Sequence, residues 1–151
     1  MKTMKSTLPL THALWLKLAL CLALSGASLT VLAASLPPAA GDIIYSNGQA
    51  TLTHQGQTVA ATKGSAVQSG DTLSTGQGQA QIKFSDGGYV ALGAQSEFSV
   101  EQYINANNAQ HDTFLTRLVR GSMRAITGLI GKRNHKNYLV ETKTATLGIR
   151  G

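Results

Sequence analysis

Cys21 is the chain's one cysteine. It lies in an apolar leader, so a domain freed from that leader holds no internal disulfide and must rest on a buried core. Acid is also scarce, with Asp and Glu numbering 7 against 13 Lys and Arg, for a formal net charge of +6. His12, His54, His111 and His135 stand far apart, which offers no clustered metal-ligand set. The sequence shows no repeat, no heptad and no low-complexity tract. Gly76-Gln77-Gly78 lacks the following helix that would aim backbone N–H groups at a phosphate. No nucleophile with an activating base stands out, and no cofactor, metal site or enzymatic activity is expected.

The first third of the chain differs in kind from the rest. Met1 to Lys17 carries Lys2, Lys5 and Lys17 without an acid, Leu18 to Ala34 is almost wholly apolar or small, and Ser35-Leu36-Pro37-Pro38 follows. This is the order of a secretory signal helix. Residues 1–33 are read as signal peptide, cleaved after Ala33 or Ala34, and residues 34–40 as an extended linker. An uncleaved anchor is one alternative, but the apolar run is shorter than the roughly 20 residues a comfortable span needs. Lipid attachment at Cys21 is another, disfavoured by the bulky Leu20 before it. All three put residues 41–151 outside the cytoplasm.

Turn signals then recur at short intervals: Asn47-Gly48, Gln55-Gly56, Ser69-Gly70, Gln77-Gly78 and Asp86-Gly87-Gly88. Asn47-Gly48 suits a two-residue hairpin. Ala80-Gln81-Ile82-Lys83-Phe84 alternates apolar and polar, as a half-buried strand does. The expectation is an all-β domain, a small antiparallel sandwich or barrel of short strands. Phe114 to Gly131 admits two readings. Leu115, Leu118, Val119, Met123 and Ile126 fall at helical spacing beside Arg117, Arg120 and Arg124, as in a basic helix lying on anionic lipid. Gly121, Gly128 and Gly131 each cost a helix about 1 kcal/mol relative to Ala, and the strand reading keeps at most a helical turn near Thr127 to Gly131.

Charge divides the domain. Residues 34–116 hold Lys63 and Lys83 against Asp42, Asp71, Asp86, Glu97, Glu101 and Asp112. Residues 117–151 hold Arg117, Arg120, Arg124, Lys132, Arg133, Lys136, Lys143 and Arg150 against Glu141 alone. Arg117, Arg120, Arg124, Lys132, Arg133 and Lys136 form a candidate surface for an anionic partner, an envelope protein or an anionic glycan. Export makes nucleic acid an unsuitable target, and membrane contact runs through the leader or, weakly, the basic segment. Asp71 and Asp86 are the available carboxylate pair for hydrolysis, but both sit in Gly-flanked turns, where Asp accepts local backbone N–H groups.

Five pieces stand in order: Gly70-Asp71-Thr72-Leu73-Ser74-Thr75-Gly76, Phe84-Ser85-Asp86-Gly87-Gly88, Gly121 to Arg124, Asn137 to Val140, and Ala145-Thr146-Leu147-Gly148-Ile149-Arg150-Gly151. The ordered set resembles the FecR domain over about residues 41–151. The resemblance favours strands after Phe114, with Gly121 as a bend. It also implies that Gly70, Asp71, Thr75, Gly76, Asp86, Gly87, Gly121, Ala145, Gly148, Arg150 and Gly151 are structural. An Arg150 contact with Asp71 or Asp86 is expected to pin the last strand.

FecR-like proteins include regulators that relay occupancy of an outer-membrane receptor to a cytoplasmic sigma factor. Met1 to Lys17 is too short for a folded sigma-binding segment, so that role is not carried over. The family pattern normally runs on past the point where this chain stops, and Thr142-Lys143-Thr144 replaces its usual Thr-Pro, which implies an incomplete C-terminal edge. The expected function is a non-catalytic extracytoplasmic module for binding or signal sensing. The alternatives are a periplasmic component of an iron/siderophore signalling system and a membrane-surface protein using residues 115–133.

Overall fold

The computed structural model describes residues 38–148; the expected signal peptide and signal helix, most of the linker, and Arg150 and Gly151 lie outside the described residues. Frequent glycine turns cut the chain into short β-strands: β1 (Gly41–Asn47), β2 (Thr51–His54), β3 (Gln57–Ala60), β4 (Ala66–Val67), β5 (Thr72–Ser74), β6 (Gln79–Phe84), β7 (Tyr89–Leu92), β8 (Glu97–Ile104), β9 (Thr113–Arg120), β10 (Met123–Ile126), β11 (Tyr138–Thr142) and β12 (Thr146–Gly148). A one-turn helix, α1 (Leu129–Arg133), and a 3-10 turn (His135–Asn137) lie between β10 and β11.

The strands form a five-stranded sheet ordered β10-β7-β6-β1-β4 and a seven-stranded sheet ordered β12-β11-β9-β8-β5-β2-β3. One continuous core joins them. It draws Ile43, Ile82, Phe84, Val90 and Leu92 from the first sheet and Leu52, Leu73, Phe98, Val100, Phe114 and Val140 from the second. Full burial of each large side chain contributes about 1.5–3 kcal/mol. β6 shows the cause plainly, since its residues alternate exposed and buried along the whole strand. Few aromatics are present, yet four meet: Phe84 packs edge-on to Phe114 across the sheets at 4.9 Å, Phe114 stacks on Tyr138 at 4.3 Å, and Tyr103 stacks on Phe84 at 5.4 Å.

Three expectations are corrected. Both sheets keep open edges among the described residues, so the barrel alternative is not formed. The arrangement is also not purely antiparallel, because β11 runs parallel to β9 from Tyr138↔Phe114 to Thr142↔Leu118. The chain gains the room a parallel pair needs by sending β10 into the other sheet between them. Asn47-Gly48, finally, does not close a hairpin: β1 and β2 lie in different sheets, and the turn is a crossing between layers. The two-residue hairpin is Gln55-Gly56, whose φ values of 48° and 81° give the doubly left-handed turn that joins β2 to β3.

The ambiguous segment is resolved as strands. β9 and β10 replace the long basic helix, and α1 is its only helical turn. Gly121, at φ 88°, makes the corner between them. A Cβ there would overlap Ser96, so the sheet change needs glycine at this point.

Candidate functional site

Four crossings between the layers converge at one end of the domain: residues 48–50, 75–78, 93–96 and 121–122. Thr75, fully buried, ties two of them together. Its hydroxyl donates to the Gly93 carbonyl at 2.7 Å and accepts the Ser96 N–H at 3.0 Å, while its own N–H donates to the Ser96 carbonyl at 3.0 Å. Ser96 adds the last crossing, donating through Oγ to the Ser122 carbonyl at 3.1 Å and accepting the Ser122 N–H at 3.0 Å. Gln95 donates its N–H to the Gly76 carbonyl. Its φ is 55°, left-handed backbone that a non-glycine residue rarely adopts.

This scaffold surrounds a cleft of about 450 Å³ lined by Gln49, Gly76, Gln77, Gln95, Ser96 and Arg120. Arg120 donates Nε to Glu97 at 3.0 Å and remains 63 % exposed. Among the described residues, no side-chain hydrogen bond occupies the amides of Gln49, Gln77 or Gln95. The cleft thus presents amide donors and acceptors beside a guanidinium, on backbone held by buried hydroxyls.

The opposite end is built on carboxylates. Asp86 is buried; Oδ1 accepts the Gly88 N–H at 3.0 Å, Oδ2 accepts the Ile130 N–H at 3.2 Å, and its carbonyl accepts the Leu129 N–H at 2.9 Å. The Asp-Gly-Gly turn therefore caps α1 from a distance, satisfying N–H groups that lack intrahelical partners. Gly128 precedes the helix because a Cβ there would overlap the Asp86 carboxylate. Tyr103 Oη accepts the Asp86 N–H at 2.8 Å, and burial is the main cause that raises its pKa above the ordinary value. Tyr138 is pushed up to about 12, first by burial and then by the nearby Asp86 charge.

Asp71 is likewise buried, with Oδ1 bonded to His54 Nδ1 and Oδ2 accepting the Gln68 N–H at 2.8 Å. Asp71 and Asp86 thus have donors on all four carboxylate oxygens. The proposed contact of either with Arg150 falls outside the described residues. The remaining glycines of the motif, Gly70, Gly76 and Gly87, all sit at left-handed turns. Ala145 precedes the short β12 and Gly148 ends it, opposite Leu139 of the antiparallel β11; the Ala145 carbonyl accepts the Thr142 N–H at 2.7 Å.

Of the six basic residues, Arg117, Arg120 and Arg133 are paired with carboxylates. Arg117 donates to Glu141 at 2.8 Å and lies 3.5 Å from Glu101, and the hydrogen bond to Glu141 raises its pKa. Arg133 contacts the fully buried Asp112. Arg124 is exposed on the edge strand β10, and Lys132 and Lys136 are exposed near α1; no carboxylate pairs with these three among the described residues. His111 and His135 are exposed, and the described residues contain no group of His, Cys, Asp and Glu fit to hold a metal.

Sequence reasoning missed the His54–Asp71 bond and the three-amide cleft. β2–β5 register places Thr53 opposite Thr72, so His54 and Asp71 become neighbours only through strand pairing. Glutamines in turns carry no distinguishing signal.

A sequence model of the FecR protein matches residues 71–151. Neither the comparison with curated proteins nor that with solved structures gives a match. The match begins at β5, yet the folded unit needs the strands before it, since β1 lies between β6 and β4 and β2 pairs with β5. With the ordered turns, the Gly121 corner and this match over more than half its length, the chain belongs to the FecR family.

Proposed function

We propose that the protein is a non-catalytic, extracytoplasmic binding or sensing module of the bacterial envelope. The observation that supports this best is how the motif residues are employed. Thr75, Asp71, Asp86 and Gly121 hold loops in place through buried hydrogen bonds or close backbone packing, so the motif is a framework for what the loops present. Basic leader, apolar run and small-residue exit favour a periplasmic or secreted location. Among the described residues no helix is long and apolar enough to cross a membrane.

An alkaline phosphatase fusion after Gly151, combined with cross-linking in whole cells, tests the reading. Phosphatase activity and a reproducible envelope partner are expected; a fusion inactive and retained in the cytoplasm overturns it. Family membership also favours a narrower version, a periplasmic component of an iron/siderophore signalling system. Deleting the gene should then alter transcription under iron limitation, and an unchanged profile removes that version.

A further inference from the structure

The cleft where the layer crossings meet has a chemistry of its own. Its volume of about 450 Å³ falls within the roughly 300–1,000 Å³ range of ligand sites, but its lining is unlike that of an apolar pocket. No large apolar side chain lines it. Gln49, Gln77 and Gln95 each offer an NH2 with two donors and a carbonyl acceptor. Vicinal hydroxyls of a sugar, each donor and acceptor at once, are the complementary group. Arg120 uses Nε for Glu97, which leaves its two NH2 groups to receive a carboxylate in forked geometry. Gln95 is held in left-handed backbone by the Thr75–Ser96 network. Surroundings that maintain such a conformation pre-organise a side chain for contact.

We propose that this cleft binds an acidic glycan, a sugar chain whose carboxylate meets Arg120 and whose hydroxyls meet the three glutamine amides. The inference rests on the binding-module reading and supplies its ligand class. The cleft has no aromatic stacking platform, so affinity for a short oligosaccharide is expected in the millimolar range, set by hydrogen bonds alone.

The test is an NMR titration of the isotope-labelled protein with tri-galacturonate, with cellotriose as the neutral sugar and a Glu-rich peptide as the acidic non-sugar. Tri-galacturonate should shift the amide signals of Gln49, Gln77 and Gln95 and bind about tenfold more tightly than cellotriose, the worth of one charge-assisted hydrogen bond over a neutral one. Arg120→Gln should remove that preference. Gln95→Gly relaxes the backbone, so the fold persists while binding weakens several-fold; Gln77→Ala, on an exposed turn, should weaken it similarly. Shifts elsewhere on the domain, no response to either sugar, or unchanged binding in these variants overturns the proposal. A stronger response to the Glu-rich peptide also overturns it and makes the cleft a peptide site. These outcomes are independent of export, so failure here is distinguishable from failure of the envelope reading.

Discussion

Arg133 reaches from the one-turn helix to Asp112, placing Nε at 2.7 Å and Nη2 at 2.6 Å from the same carboxylate oxygen. Asp112 is fully buried, and its other oxygen accepts the Ala106 N–H at 2.8 Å and the Asn108 N–H at 3.3 Å. Nη2 of Arg133 donates in addition to Asn105 at 3.0 Å. The pair therefore fastens the loop between β8 and β9 to α1. Removing one member of a buried pair leaves the other charged and uncompensated. Arg133→Met should cost about 2–3 kcal/mol in urea unfolding, and Arg133→Lys should recover less than half, because a lysine has no planar fork. A loss of under about 0.5 kcal/mol would place this arginine among ordinary surface ion pairs.

Thr116 is fully buried on β9, and its hydroxyl has no hydrogen-bond partner among the described residues. Valine has nearly the same shape without the stranded polar atom. Thr116→Val is expected to stabilise by about 1 kcal/mol, seen as a higher urea midpoint with an unchanged slope.

The Gly128–Asp86 contact gives a coupled pair. Gly128→Ala pushes a methyl into the carboxylate and should cost about 2 kcal/mol. In an Asp86→Ala background the obstruction is gone, so the second substitution should cost far less. Strict additivity in the four-protein cycle would count against the contact.

Tyr138 makes stability depend on alkaline pH. Its folded-state pKa is about 12 against an ordinary 10.0, so the folded state favours the neutral phenol. The contribution is complete below pH 10 and lost as pH rises towards about 12, by at most roughly 1.4 kcal/mol per pH unit. Tyr103 is shifted the same way. Chemical unfolding at several pH values above 9 should show the decline, and Tyr138→Phe should flatten it.

Turns and strands were legible because glycine chemistry and alternation are local. β6 alternates as its sequence does, and the glycines after Phe114 weigh against the long helix that β9 and β10 replace. Destination was not legible. Asn47-Gly48 and Gln55-Gly56 look alike in sequence, but the first has the backbone of Gly78 against it and the second has open space. Pairing within the basic surplus was not legible for a related reason. Glu97, Glu101 and Asp112 come from the acidic half and meet Arg120, Arg117 and Arg133 only after β8 and β9 have paired and α1 has docked. A charge count along the chain contains none of that.

The excursion of β10 into the opposite sheet sets an order of assembly. β11 can reach β9 in register only after residues 121–137 have travelled out and back, and the entropy of closing that detour delays the parallel pairing. Pulse-labelled amides of β11 should gain protection after those of β8 and β9. Until they do, one flank of β9 stays bare in the refolding chain, and that is the interval when a second copy could take the place meant for β11.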